Sequence, residues 1–302
     1  MTPPRAVGLA APLRALRPEA TGLLDVACAR AWDTVGHELL GALRTRAAVL
    51  LGHPDGRRVD AGDATVSACL EFAEQFVLDV SGIGETERDA LRRHLDEDVV
   101  TDVVRALFLV EYALRLELVS TRLFEGPVVA APARPADPSV GFGEALAEYQ
   151  DAVVRGDALD PVLTELVRLR CARTHNCRIC RTLRLADAAA AGADDAVTAA
   201  VDRYEASDLD ERAKAALRVT NALISQPTGL TPEAVASARA LLGPEELAEL
   251  CLDVSKWSTQ KVHVALGTDA PDRLPLDDRG VSWFRFGSDG RVVGFSARPD
   301  DG

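Results

Sequence analysis

Aromatic residues make up only 5% of this chain, and methionine occurs once, at its first position. Positive charge is also short: 34 Lys and Arg stand against 47 Asp and Glu, a formal net charge of −13. A surface that acidic repels a phosphate backbone, which excludes nucleic acid as the expected partner. No apolar run reaches the length of a membrane-spanning helix, so no membrane partner is expected either. No secretion signal is expected in the first residues, because Pro3, Pro4 and Arg5 and then Pro12, Arg14, Arg17 and Pro18 interrupt any apolar stretch. The implied location is the cytoplasm, where thiols are kept reduced. A second C-x-x-C is missing, and among the histidines only His175 lies near the one that exists. A structural zinc site needs four ligands, so no metal is expected.

What is present is a helix-forming composition. Hydrophobic residues reach 47% and charged residues 27%, and Ala, Leu, Val, Arg, Asp and Glu dominate. Unbranched and small side chains lose little freedom in a helix. The spacing predicts an all-α fold of tandem duplicated helical units with a short C-terminal β-hairpin. Residues 1–125 form a first helical repeat, opened by a loose, Pro-containing lead-in over 1–20. Residues 126–140 (GPVVAAPARPADPSV) read as a linker. Residues 141–270 form a second helical block, and 271–302 a tail. In the tail, Val281–Phe286 alternates, Ser288-Asp289-Gly290 is a turn signal, and Arg291–Phe295 is the return strand. A lone hairpin is marginal in water, so this one should pack on the helical body or on another subunit.

The two blocks share a pattern at an offset of 147 residues, which places Gly82 on Gly229, Leu95 on Leu242, Leu107 on Val254 and Asp63 on Asp210 (210 − 63 = 147). At a slightly different offset, 143, Cys28-Ala29-Arg30 falls on Cys171-Ala172-Arg173 (171 − 28 = 143). The repeat is not symmetric in chemistry, because the first half has no C-x-x-C.

Of six cysteines, Cys28, Cys69, Cys171 and Cys251 sit alone in Ala/Leu-rich helical patterns and read as small buried residues. Cys177-Arg178-Ile179-Cys180 differs. It follows a break at Thr174-His175-Asn176 and precedes a helical run from Arg181 to Ala191. Residues at i and i+3 share a helix face, so the sulfurs can meet. A cysteine in a first helical turn faces unpaired backbone N–H groups, which favour the thiolate. Arg173, Arg178, Arg181 and Arg184 add positive charge around the pair. Two bland readings stay open, half a zinc site and two core cysteines. Glu165 likewise has an ordinary reading, a surface ion pair with Arg168 three residues on.

The stretch ELVRLRCARTHNCRICRTLR, Glu165 to Arg184, resembles the core motif of the carboxymuconolactone decarboxylase and alkylhydroperoxidase D-like superfamily. There, as here, a glutamate precedes the C-x-x-C by twelve residues. The likeness extends through the Ala-rich helix to DVSKWSTQKV, Asp253 to Val262, and is weak over the N-terminal half. It implies an all-α unit that forms homo-oligomers, with no bound cofactor and an external dithiol protein as reductant. By this resemblance Cys180 is the peroxidatic thiolate, Cys177 the resolving thiol and Glu165 the proton acceptor. The family histidine four residues after the second cysteine is Arg184 here, and the inter-cysteine position that can also be histidine is Ile179. Arginine cannot relay protons, but it can bind an anionic substrate, and His175 is the substitute relay. Trp257 and Lys261, spaced i,i+4, are further substrate-binding candidates.

The implied activity is a peroxidase-like, antioxidant oxidoreductase acting on hydroperoxides. A decarboxylase, lyase or other biosynthetic enzyme using Glu165 or His175 for acid–base work stands as a rival. So does a non-catalytic protein whose cysteines only sense oxidants.

Overall fold

Several helices in this chain start on a short polar side chain. Asp63 accepts from the Val66 N–H at 2.9 Å and Asp210 from the Ala213 N–H at 2.7 Å. Each satisfies an amide that the first helical turn leaves without a partner. The computed structural model describes residues 7–59, 62–130 and 139–299. In chain order it runs β1 (Gly8–Ala10), α1 (Ala11–Leu16), α2 (Pro18–Val35), α3 (His37–Leu51), α4 (Ala64–Asp79), α5 (Glu85–Arg92), α6 (Glu97–Leu123), β2 (Val128–Ala130) and α7 (Phe142–Val154). It continues with α8 (Pro161–Thr174), α9 (Arg178–Thr182), β3 (Leu183–Leu185), α10 (Ala186–Ala190), α11 (Asp195–Ala200), α12 (Glu211–Ile224), α13 (Pro232–Leu241), α14 (Pro244–Ser258), α15 (Gln260–Leu266), β4 (Ser282–Phe286) and β5 (Val292–Ser296). The fold is all-α with a short C-terminal β-hairpin, β4–β5.

Two compact units divide the chain. One comprises Met1–Tyr149 with Lys261–Thr268, the other Gln150–Gln260 with Asp269–Gly302. In the first, α3 packs against α4 and α6, and α2 packs against α6. Ala47, Ala48 and Leu51 of α3 share a core cluster with Val77 of α4 and Leu114 of α6. The middle of α6 is buried continuously from Ala106 to Tyr112 and is apolar there except for Glu111. A charge set sits inside this core. Glu111 accepts from Arg115 Nε at 2.8 Å and from Lys261 Nζ at 2.7 and 2.8 Å. All three side chains are buried, and Arg115 also donates to the Val77 carbonyl at 3.2 Å.

In the second unit α8 packs against α12 and α14. The hairpin is held because β3 pairs parallel with β4, with Arg184 opposite Trp283, and β4 pairs antiparallel with β5. Its turn needs a glycine. Gly290 has φ +84°, and a Cβ there would lie 2.2 Å from the Asp151 carbonyl oxygen of α7.

Three local expectations are corrected. The lead-in is ordered from residue 7: β1 pairs with β2, and Pro18 occupies the first turn of α2, where its missing N–H leaves nothing unpaired. Apolar spacing alone reads Gly22 to Leu51 as one helical stretch, but it breaks into α2 and α3 at Gly36, φ +88°. The run from Arg181 to Ala191 breaks into α9, β3 and α10, because its middle is recruited as a strand by β4. Of the linker read over 126–140, Val128–Ala130 is a strand and residues 131–138 lie outside the described residues.

Helix starts in the two halves stand 147 residues apart at α4 and α12 (64 to 211), α5 and α13 (85 to 232), and α6 and α14 (97 to 244). By packing, α8 behaves as α3 does. The register that set Cys28, on α2, against Cys171, on α8, is therefore not followed.

Two outcomes follow from these helices. Asp63→Ala and Asp210→Ala should each cost about 1 kcal/mol of stability, seen as a lower Tm. A substitution that leaves Tm unchanged would mean the cap contributes nothing. Burial lowers the Lys261 pKa to about 8, against roughly 10.4 in an unfolded chain. Between these values the unfolded state holds the extra proton, so folding gains as pH rises. Urea unfolding at about pH 7.5 and about pH 9.5 should show wild type gaining stability relative to Lys261→Met. A gap that stays constant or moves the other way would refute the assignment.

Candidate active site

The site is built on the α8–α9 junction. Asp160 caps α8 by accepting from the Leu163 N–H at 2.9 Å, and Pro161 fills its first position. One turn on, Glu165 and Arg168 face the interior, each about 1% exposed. Their pairing is bidentate: Arg168 Nε donates to Glu165 Oε2 at 2.6 Å and Nη2 to Oε1 at 2.7 Å. Arg168 Nη1 donates to the Cys180 carbonyl at 2.9 Å, and Nη2 also reaches the Leu183 carbonyl. The pair, whose ordinary reading is a surface contact, is thus a buried clamp joining α8 to α9 and β3.

Helix α8 ends in a left-handed turn at Asn176, φ 53°, the only positive-φ residue other than glycine among those described. The Asn176 side chain accepts from Arg181 Nη1 at 2.7 Å. Asparagine tolerates this conformation better than a bulkier residue. The turn delivers Cys177 to the N-cap of α9, where its sulfur accepts from the Cys180 N–H at 3.3 Å. Cys177 and Cys180 are joined as a disulfide. Cys177 is fully buried and Cys180 is 7% exposed, so Cys180 is the more exposed residue of the pair.

The amides expected to face the cysteines unpaired are taken. Asp269 Oδ2 accepts from the Arg178 N–H at 2.8 Å, its main-chain oxygen accepts from the Ile179 N–H at 2.9 Å, and its other carboxylate oxygen holds the Arg178 guanidinium at 2.8 Å. These bonds to Arg178 hold the Asp269 carboxyl below the usual carboxylate range, although burial works the other way. The arginines around the motif are also engaged, Arg173 with Asp202 at 3.0 Å and Arg184 with the Arg181 and Leu183 carbonyls at 2.8 Å. Burial, reinforced by the neighbouring charge of Arg168, lowers the Arg184 pKa to about 10.

His175 is 3% exposed. Its Nε2 lies 3.1 Å from Ser258 Oγ, and Ser258 also hydrogen-bonds the Cys171 thiol. Burial pushes that thiol up to about 12, so Cys171 is held protonated. Trp257 is buried and meets Phe286 at a tilt, with ring centroids 5.9 Å apart and planes 48° from parallel. Both rings wall a cavity of about 360 Å3 that Thr164, Leu185, Glu249 and Asp253 also line. Lys261 does not join these residues. It belongs to the first compact unit and is consumed by Glu111. Among the described residues, no group of three or more His, Cys, Asp and Glu side chains is arranged to hold a metal ion.

With this geometry in place, comparison with known proteins is specific. A family model described as the carboxymuconolactone decarboxylase family matches residues 141–222, which include Glu165, Arg168 and both cysteines of the pair. The chain belongs to this family. An uncharacterized protein of Mycobacterium tuberculosis, found in strains CDC 1551 / Oshkosh and H37Rv, is 38% identical over 229 residues, covering 74% of this chain and 78% of the relative. No solved structure matches the chain.

Reading the sequence of this family member passed over two residues. Arg168 was visible only as a helical neighbour of Glu165, a spacing that does not separate a buried pair from an exposed one. Asp269 lies 91 residues from Arg178 and carried no local signal. Its role is measurable. A carboxylate beside a thiol disfavours the thiolate, so reduced Asp269→Asn, which keeps the side chain's shape but loses its charge, should react a few-fold faster with iodoacetamide at neutral pH. An unchanged rate would show that Asp269 does not tune the cysteines.

Proposed function

We propose that the chain is a thiol-dependent, peroxidase-like oxidoreductase that cycles Cys177 and Cys180 between dithiol and disulfide while reducing hydroperoxides. The observation that carries this reading is the bonded pair at the start of α9, backed by the buried Glu165–Arg168 clamp. The Cys180 thiolate attacks the distal peroxide oxygen. The O–O bond breaks, an alcohol or water leaves with a proton, and Cys180 becomes a sulfenic acid. Cys177 attacks that sulfur, water leaves and the disulfide closes. An external dithiol protein then restores both thiols by exchange.

The greater exposure of Cys180 supports its place as the attacking sulfur. Arg168 supplies a fixed positive charge behind Cys180, and Glu165 holds that charge in place. Both oxygens of Glu165 are bound to Arg168, which weakens the rival reading of a free carboxylate base in a decarboxylase or lyase. His175, in the turn before Cys177, is the group suited to move a proton. Arg184 and Trp257 are kept as substrate contacts, and Lys261 drops out of that role.

Internal duplication belongs to the same proposal, supported by the constant 147-residue spacing of α4, α5 and α6 against α12, α13 and α14 (64 to 211, 85 to 232, 97 to 244). So do a cytoplasmic location and assembly into homo-oligomers. Among the described residues no helix is long and apolar enough to cross a membrane.

Free thiols counted on reduced protein before and after stoichiometric hydrogen peroxide or an organic hydroperoxide test the cycle. One pair of thiols per chain should disappear and return on adding a dithiol. Cys177→Ser and Cys180→Ser should each abolish that reversible loss. Thiols that stay inert to both oxidants would sink the reading.

A further inference from the structure

Positive charge has few places to collect in so acidic a chain. One of them lies in the first compact unit, at the end of α3. A cavity of about 450 Å3 there is lined, among the described residues, by Arg46, Arg57 and Arg58 together with Val49 and Val59. Three of these five side chains are guanidinium groups and none is a carboxylate, although acidic residues outnumber basic ones by 47 to 34 in the whole chain.

Local structure brings the three together. Helix α3 ends at Gly52, whose left-handed conformation, φ +67°, turns the chain back. The His53 N–H donates to the Ala48 carbonyl at 2.8 Å, and the Gly56 N–H to the His53 carbonyl at 2.9 Å. Asp55 accepts from Arg44 Nη2 at 2.9 Å, which fastens the returning loop to the helix. Gly56 passes so close to α3 that a Cβ there would lie 3.0 Å from the main chain of Val49. Arg46 and Val49, three residues apart, share one face of the helix, and the loop sets Arg57 and Arg58 beside them.

Like charges gathered around one cavity repel each other. Nearby carboxylates relieve this only in part. Asp55 is engaged by Arg44, and Glu74 takes Arg46 Nη1 at 2.8 Å in a partly exposed pair. Arg46 Nε is buried and has no hydrogen-bond partner, and Arg57 makes no hydrogen bond or ion pair with a described residue. A bound anion would remove the repulsion and use these donors. Guanidinium forks match pairs of phosphate oxygens. One phosphate monoester carries about −1.5 to −2 at pH 7, less than three guanidinium groups supply. Val49, 46% exposed, and Val59 add an apolar wall that a bare inorganic ion does not need.

We propose that this cavity binds a small organic diphosphate, with its phosphates on Arg46, Arg57 and Arg58 and its apolar part against Val49 and Val59. Binding is reversible and makes no covalent bond. It is independent of the dithiol cycle.

The test is titration calorimetry on the full chain, in low-salt, magnesium-free buffer at neutral pH, with inorganic pyrophosphate, dimethylallyl diphosphate and sulfate as probes. Both diphosphates should saturate at one per chain. Dimethylallyl diphosphate should bind at least about twofold tighter than pyrophosphate, because its hydrocarbon part meets the valines, and sulfate at least about tenfold weaker. Arg57 and Arg58 are exposed, so Arg57→Ala and Arg58→Ala should keep the wild-type Tm while each weakens pyrophosphate binding at least about fivefold. Arg93→Ala removes an exposed arginine elsewhere in the same unit and should leave binding unchanged. Absence of saturable binding would overturn the proposal. So would an equal loss in Arg93→Ala, which would reduce the effect to overall charge. Sulfate binding as tight as pyrophosphate would overturn the diphosphate class, and no preference for dimethylallyl diphosphate would overturn the apolar part of the ligand.

Discussion

The guanidinium of Arg168 serves four oxygen acceptors at once: the two oxygens of Glu165 and the carbonyls of Cys180 and Leu183. It also lies over the Phe284 ring at 5.6 Å. One side chain on α8 therefore fixes the cysteine helix, the strand that follows it and the tail strand beside that. A buried charge is tolerated only when its partners are in place, so this clamp requires all four segments to be folded together. The planar, five-donor fork of arginine suits such a junction, and the three-donor point charge of lysine would not.

Around the cysteines, two of the positive charges are matched by buried carboxylates, while Arg181 and Arg184 bond neutral oxygens. Glu165 balances Arg168, and Asp269 balances Arg178. Asp269 also occupies the two amides at the start of α9. What distinguishes the pair electrostatically is thus the order of the charges around it. Arg168 approaches from behind Cys180, and Asp269 stands on the Cys177 side, at the residue that follows it.

Much of the helical scaffold was legible because it is written locally. Asp63 and Asp210 are polar residues before apolar periodic runs, and Gly290 closes a turn between alternating segments. The cysteine pair was legible by spacing alone. What escaped depends on distant chain. The run from Arg181 to Ala191 has helical composition throughout, and only the arrival of β4 makes Leu183–Leu185 a strand. Trp257 and Lys261 looked like neighbours on one helix face, but α14 ends at Ser258 and α15 starts at Gln260, and the two residues part into different units. Arg168 was hidden in a spacing that an exposed pair shares.

The parallel pairing of β3 with β4 joins Arg184 to Trp283, residues 99 positions apart. A ribosome adds roughly 5–20 residues per second, so the strand after Cys180 emerges about 5–20 s before its partner exists. Through that interval both thiols sit in a segment whose strand is unpaired and whose α9 amides still lack Asp269, with Cys28, Cys69 and Cys171 already translated. The cysteine loop is thus one of the last parts of the chain to take its final form, although it lies near the middle of the sequence. The tail acts as the element that completes it.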